Sequence, residues 1–304
     1  MPCTRCRAPH APSAYVGARS SARDAARTAL WALAVSLCGL WLCACTPTDG
    51  ALLVRAGTAG QGAPEAALPM ASASGIRPGM RLQYQLVGPI DVEADAELFV
   101  IDLFDARDDT IDRLRQDGRV VVAYVSAGTY EPWRPDTEAL PMSVLGARLV
   151  GYPDERWLDV RDPAVRTLMS GRMDLARERG SAGVLLTSLE GYRVDSGHPL
   201  SQADQLEYNL WLAQQAQQRE LSAGISGDWA QAEALAEAYG FAIHVDCIAS
   251  GRCQELQPYV DRGRAVFDLE TDGNLDILCP EAERLSLPIT LKRPNFDSFM
   301  AVCP

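Results

Sequence analysis

The sequence predicts an α/β fold, a single (β/α)8 barrel of the TIM type, on three observations. Apolar runs alternate with amphipathic helical stretches between residues 82 and 291. Almost every apolar run closes on a polar or acidic residue, as strands do when their carboxyl ends share one functional edge. About 260 residues follow the first 44, close to the roughly 250 of one such barrel. No Gly-x-Gly-x-x-Gly follows an early strand, which disfavours a dinucleotide fold. No repeat of roughly 20–50 residues points to a solenoid.

The first strand is Leu82–Leu86, leading to Gly88-Pro89. Leu98–Ile101 is the second and closes on Asp102. Asp109–Gln116 is a crossover helix with Ile111 and Leu114 on one face, stopped by Gly118. Val120–Val125 is the next strand and closes on Ser126-Ala127-Gly128. Buried strand, amphipathic helix, buried strand is a βαβ unit with a parallel sheet. The loop Tyr130-Glu131-Pro132-Trp133-Arg134-Pro135-Asp136 suits a rigid rim, with two prolines and two aromatics; an Arg134–Asp136 pair would stiffen it. Residues 137–156 read as a short helix and an irregular connection, and Trp157–Val160 as a short extended piece.

A helix follows from Pro163 to Arg179, with proline in its first turn. Gly183–Thr187 is a buried strand that runs into Ser188-Leu189-Glu190-Gly191-Tyr192. Ser201 with Asp204 resembles a capping box and opens a long helix to Glu220. Leu221–Ile225 is a strand ending at Ser226-Gly227-Asp228, and Phe241–Val245 one ending at Asp246. Arg264–Leu269 ends at Glu270, and Leu287–Leu291 ends at Lys292-Arg293. Helical stretches over Ala230–Ala238 and Cys253–Asp261 fill the gaps.

The N-terminus reads as a targeting segment. Five arginines precede an apolar run, Ala29–Ala44, which is short for a membrane span and fits a signal-peptide core. Leu42-Cys43-Ala44-Cys45 looks like a bacterial lipobox, in which Cys45 becomes the lipidated first residue; plain cleavage near Ala44 is the alternative. The expected organisation is a signal peptide over 1–44, a tether over 45–78 rich in small residues and proline, and the barrel over 79–304. The expected place is the periplasmic or cell-surface side of an outer membrane, with the chain anchored through Cys45.

Charge and cysteines narrow the partners. The chain carries a net charge of −12; the five arginines and one aspartate of residues 1–44 leave 23 basic and 39 acidic residues, or −16. An acidic body disfavours nucleic acid. Without the signal and Cys45, four cysteines remain: Cys247, Cys253, Cys279 and Cys303. In an oxidising compartment two disulfides are expected, and local pairing, Cys247–Cys253 and Cys279–Cys303, is the most economical. Cys-x5-Cys is not zinc-ribbon spacing, so no metal is expected. No cofactor is expected, and a monomer is.

Three blocks then carry a resemblance: Leu82-Gln83-Tyr84-Gln85-Leu86, Ile101-Asp102-Leu103-Phe104-Asp105, and Tyr124-Val125-Ser126-Ala127-Gly128-Thr129-Tyr130-Glu131-Pro132-Trp133-Arg134-Pro135-Asp136. With Glu155-Arg156-Trp157-Leu158-Asp159, Gly191-Tyr192, Cys247, Cys253, Glu270 and Lys292, they resemble glycoside hydrolase family 114, the endo-α-1,4-polygalactosaminidase-like TIM barrels. The resemblance implies endo-acting hydrolysis of an α-1,4-linked, galactosamine-containing polysaccharide. The departures cluster at strand ends. The family reads Glu-Pro-Asp-Asn-x-Asp-Gly-Tyr where this chain has Leu185-Leu186-Thr187-Ser188-Leu189-Glu190-Gly191-Tyr192. Gly-Leu-Lys-Asn-Asp is here Gly224-Ile225-Ser226-Gly227-Asp228, and Asn-Glu-x-Cys is His244-Val245-Asp246-Cys247.

Glycoside hydrolysis normally needs two carboxyl groups, roughly 5 Å apart for retention and roughly 6.5–9.5 Å for inversion. The candidate catalytic residues are Asp102, Glu190 and Glu270. Gln83, Tyr124, Ser126, Tyr130, Glu131, Trp133, Arg134 and Asp228 are the candidate substrate-binding residues. Ser126 and Ser188 have no histidine base, so a serine triad is not expected. Two functions compete: cleavage of an amino-sugar glycan, and binding of a glycan by a barrel stripped of its acids.

Overall fold

The computed structural model describes residues 74–304. The expected signal peptide, Cys45 and most of the expected tether lie outside them. No helix among the described residues is long and apolar enough to cross a membrane.

The expected barrel is present. Its parallel strands are β1 (Leu82–Gln85), β2 (Leu98–Asp102) and β3 (Val120–Ser126), then, after a separate hairpin, β7 (Gly183–Thr187), β8 (Ser222–Ser226), β9 (Phe241–Val245), β10 (Ala265–Glu270) and β11 (Ile289–Leu291). They neighbour one another in chain order, with β12 (Ala301–Val302) antiparallel to β11. The last strand meets the first through side chains. Thr290 Oγ1 donates to the Leu82 carbonyl at 3.2 Å, and Lys292 Nζ donates to Gln83 Oε1 at 2.7 Å and to the Asp297 carbonyl at 2.9 Å.

Helices cover the outside. The longest are α1 (Asp108–Gln116), α2 (Pro163–Glu178), α3 (Gln202–Gln218) and α7 (Leu275–Leu285); α4 (Ala232–Leu235), α5 (Cys247–Ser250) and α6 (Gln257–Asp261) are short. Asp162 caps α2, and Ser201 and Asp204 form the capping box of α3. Both expected disulfides, Cys247–Cys253 and Cys279–Cys303, are formed.

Residues 137–156 depart from the expected irregular connection. They include β5 (Leu145–Leu149) and most of β6 (Tyr152–Leu158), antiparallel strands that with β4 (Thr129–Tyr130) make a three-stranded sheet. The charged run Asp154-Glu155-Arg156 hid this strand, because its glutamate is buried. Periodicity assigns such a residue to solvent.

Two packed layers fix which way each strand end points. Leu98, Val100, Val122, Tyr124, Leu185, Phe241, Ile243, Phe267 and Leu269 pack together inside the barrel. Ala123, Val125, Val184, Leu186, Ala223, Ile225, Ala242, Val266 and Ile289 pack outward under the helices. Side chains alternate along a strand. The inward residue at each mouth-side strand end is therefore Asp102, Ser126, Thr187, Ser226, Val245, Leu269 and, just past β11, Lys292.

Candidate functional site

Asp102 is the one carboxylate in that inward ring, and it is fully engaged. Arg134 Nη1 and Nη2 donate to its two oxygens at 2.8 and 2.6 Å, and the amides of Phe104 and Asp105 donate to Oδ1. Arg134 also donates to both oxygens of Glu131, at 3.1 and 3.0 Å, and lies over the Phe104 ring. Burial alone would lower the Arg134 guanidinium; the charges of Glu131 and Asp102 outweigh it and raise it. Burial pushes Glu131 up, and Arg134 opposes that. The expected Arg134–Asp136 pair is thus replaced: Asp136 receives Nε and Nη2 of the buried Arg172, at 2.8 and 3.1 Å. Arg172 Nη1 donates to the Ser126 carbonyl. Opposed charges this dry find the nearest complement rather than the nearest neighbour in sequence.

Beneath this rim runs a file of hydroxyls. Ser188 Oγ lies 3.2 Å from Ser126 Oγ, which lies 2.5 Å from Thr129 Oγ1, which lies 3.0 Å from Glu155 Oε2. Glu155 is fully buried, its Oε1 has no partner, and burial with the Glu131 charge pushes it up to about 8. Gly128 permits the packing, since a Cβ there would stand 1.8 Å from the Ser188 carbonyl oxygen.

Asp228 occupies a left-handed turn after β8 (φ 51°) and is fully buried. Tyr192 Oη donates to its Oδ1 at 3.0 Å; Asn209 and Gln231 donate to Oδ2 at 2.8 and 2.9 Å. Burial, aided by the nearby Glu190 charge, raises it to about 7. Glu190 is itself buried, with Arg193 at 3.4 Å. Ser188 and Asp246 share the left-handed conformation, so the turns after β7, β8 and β9 all hold a non-glycine residue there. Such strain gathers at functional edges.

Glu270 lies apart from the inward ring. It alternates with Leu269 and shares the outward face of Val266. Its carboxylate accepts the amides of Ile248 and Ala249 at the start of α5, at 2.7 and 3.3 Å. Asp268, on the same face, accepts the Cys247 amide. Burial and the adjacent Glu270 push the Asp268 carboxyl well above the usual carboxylate range. Sequence reasoning passed over Asp268, although its i, i+2 spacing from Glu270 puts both on one face.

The remaining candidates take varied places. Tyr124 is buried within the barrel, and Thr187 Oγ1 donates to its hydroxyl at 3.2 Å. Gln83 is buried at the seam with Lys292, whose ammonium burial lowers to about 8. Tyr130 and Trp133 are half-exposed in the rim loop. Clefts of about 470 Å³ beside Phe104 and Arg179 and about 420 Å³ along α3 lie outside the mouth and touch none of these candidates.

The family profile of glycoside-hydrolase family GH114 matches residues 65–304. Ega3 of Aspergillus fumigatus, solved in complex with galactosamine, is 28% identical with a TM-score of 0.72, over 77% of this chain and 98% of that one. The glycoside hydrolase domain of PelA from Pseudomonas aeruginosa is 13% identical with a TM-score of 0.59, over 74% of this chain and 99% of that one, a likeness of fold. No curated protein sequence matches the chain significantly. With four-fifths of its length under one family profile and the same barrel beneath it, the chain belongs to glycoside-hydrolase family GH114.

Proposed function

We propose that this chain binds an amino-sugar polysaccharide at the barrel mouth without cutting it by a two-carboxylate mechanism. One observation carries the reading: the inward strand ends from β7 to β10 are Thr187, Ser226, Val245 and Leu269, none of them an acid or base. The one inward carboxylate, Asp102, is committed to Arg134. A general acid–base group contributes roughly 10²–10⁴ in rate, so losing the pair removes the larger part of the chemistry. The relative solved with galactosamine and the acidic charge balance of the body favour a cationic glycan. Anchoring through Cys45 belongs to the same proposal and would hold the mouth at a surface where such a polymer is met.

A second reading has one observation behind it. Glu190 and Asp228 lie close enough to interact, and Asp228 titrates near 7, where a general acid works. The test offers the full chain partly de-N-acetylated polygalactosamine and measures both binding and reducing-end release. Saturable binding without release is expected. Release that Glu190→Gln abolishes would establish the second reading, and absence of binding would end the first.

A further inference from the structure

The Cys247–Cys253 disulfide has a third group beside it. Asp268, in β10, brings a carboxyl oxygen to the two sulfurs, and the three atoms lie within 4.8 Å of one another. Cys-x5-Cys alone lacks the spacing of a zinc ribbon, and two ligands from one short segment hold an ion poorly. The barrel supplies a third from a different element.

Asp268 is fully buried. Its Oδ1 accepts the Cys247 amide at 3.1 Å, and its Oδ2 has no hydrogen-bond partner. Glu270 beside it is equally buried and brings negative charge, not a donor. Among the described residues, neither carboxyl is paired with a lysine or an arginine. The basic group that approaches is His244, with Nδ1 at 4.0 Å from Asp268 Oδ1. That Nδ1 faces the Val245 carbonyl at 2.9 Å, and Nε2 faces Glu255 at 3.1 Å. A buried carboxyl with an open oxygen and no cation is short of positive charge. A divalent ion supplies that charge at the point where two sulfurs already meet.

We propose that the Cys247–Cys253 pair, once reduced, forms with Asp268 a site for a zinc-like divalent cation. The reductant is a dithiol. It gives up two electrons and two protons and closes into its own disulfide, while the Cys247–Cys253 bond breaks and both cysteines become thiols. Cys253 is half-buried and gives the reductant its entry; Cys247 is fully buried. The cation then displaces the two thiol protons to solvent and bonds both sulfurs and one Asp268 oxygen; any proton on Asp268 leaves with them. Two thiolates and a carboxylate suit zinc, whereas calcium and magnesium take oxygen donors. Zinc bonds of roughly 2.0–2.3 Å set tetrahedral ligands roughly 3.4–3.8 Å apart, so side-chain rotations of about an ångström close the site. Oxidised, the pair ties α5 to the turn that follows it; reduced and loaded, it ties α5 to β10. The site lies on the outward face of β10, apart from the barrel mouth, and is independent of the glycan reading.

The test uses the full-length chain with Cys3, Cys6, Cys38, Cys43 and Cys45 changed to serine, which leaves the two disulfides. The protein is reduced with dithiothreitol, freed of it without air, and titrated with Co²⁺ as the spectroscopic stand-in for zinc, while near-ultraviolet circular dichroism follows the fold. After reduction, one Co²⁺ per chain should bind with the absorption band of thiolate-bound cobalt, and Zn²⁺ should displace it; before reduction none should bind. Asp268→Asn should weaken binding by about tenfold or more. Cys247→Ser/Cys253→Ser should abolish the band, and Cys279→Ser/Cys303→Ser should keep it. A reduced chain that takes up no cobalt, that binds it as well in Asp268→Asn, or that loses its fold before cobalt binds overturns the proposal. So does a band that disappears with Cys279 and Cys303 instead of with Cys247 and Cys253.

Discussion

Arg134 grips Asp102 with two parallel hydrogen bonds of 2.8 and 2.6 Å, and both side chains are almost wholly shut off from water. On the proposed binding reading, that pairing takes the inward carboxylate of the mouth out of chemistry and makes it part of the rim. Removing the arginine leaves Asp102 and Glu131 buried without their cation. Breaking such a pair costs about 3–5 kcal/mol. Arg134→Met is therefore expected to lower stability by about that much in urea denaturation, with Asp102→Asn costing less because the amide keeps part of the bonding.

Restoring acids at the inward strand ends should restore chemistry. Thr187→Asp and Val245→Glu replace the residues that differ from the family pattern on β7 and β9. The double variant is expected to release reducing ends from polygalactosamine at least about 10²-fold faster than either single variant. Equal rates in all three would mean that these positions no longer face a bound glycan.

Stability should fall as pH rises from acid to neutral. Glu155 sits near 8 against 4.5 when exposed, and Asp228 near 7 against 3.8. Between those values the folded chain holds protons that the unfolded chain has lost. The stabilisation is complete below the lower value and is lost as pH rises through the upper one. The slope is at most about 1.4 kcal/mol per pH unit for each group. Urea midpoints measured from pH 5 to about 9 should show it, and Glu155→Gln should flatten the part between 7 and 8.

The two disulfides should contribute unequally. Cys279–Cys303 closes a separation of 24 residues and Cys247–Cys253 one of 6. Loop-closure entropy gives about 3.5 and about 2.4 kcal/mol. Paired Cys→Ser variants should rank in that order by thermal or chemical unfolding.

Glu270→Gln is expected to act on α5. The amides of Ile248 and Ala249 keep an acceptor in the glutamine, but an amide replaces the carboxyl group packed beside Asp268. Stability should drop by about 1–3 kcal/mol with glycan binding unchanged. Binding that falls tenfold while stability holds would bring Glu270 back to the mouth.

The sequence by itself determined the barrel, because buried parallel strands read as apolar runs and their crossovers as amphipathic stripes. It marked the capping box at Ser201, the local cysteine pairs, and the loss of family acids at 187 and 245. It did not determine which way Asp268 and Glu270 point. A strand buried on both faces is apolar at every position, so its pattern carries no phase. Ala265 to Phe267 shows this, with Val266 outward and Phe267 inward. Nor did it reveal β5 and β6, since Glu155 looks like a surface residue until Thr129 and the rim close over it. Tertiary structure decided which acids lie together in the dry rim, and through that which of them keep their protons.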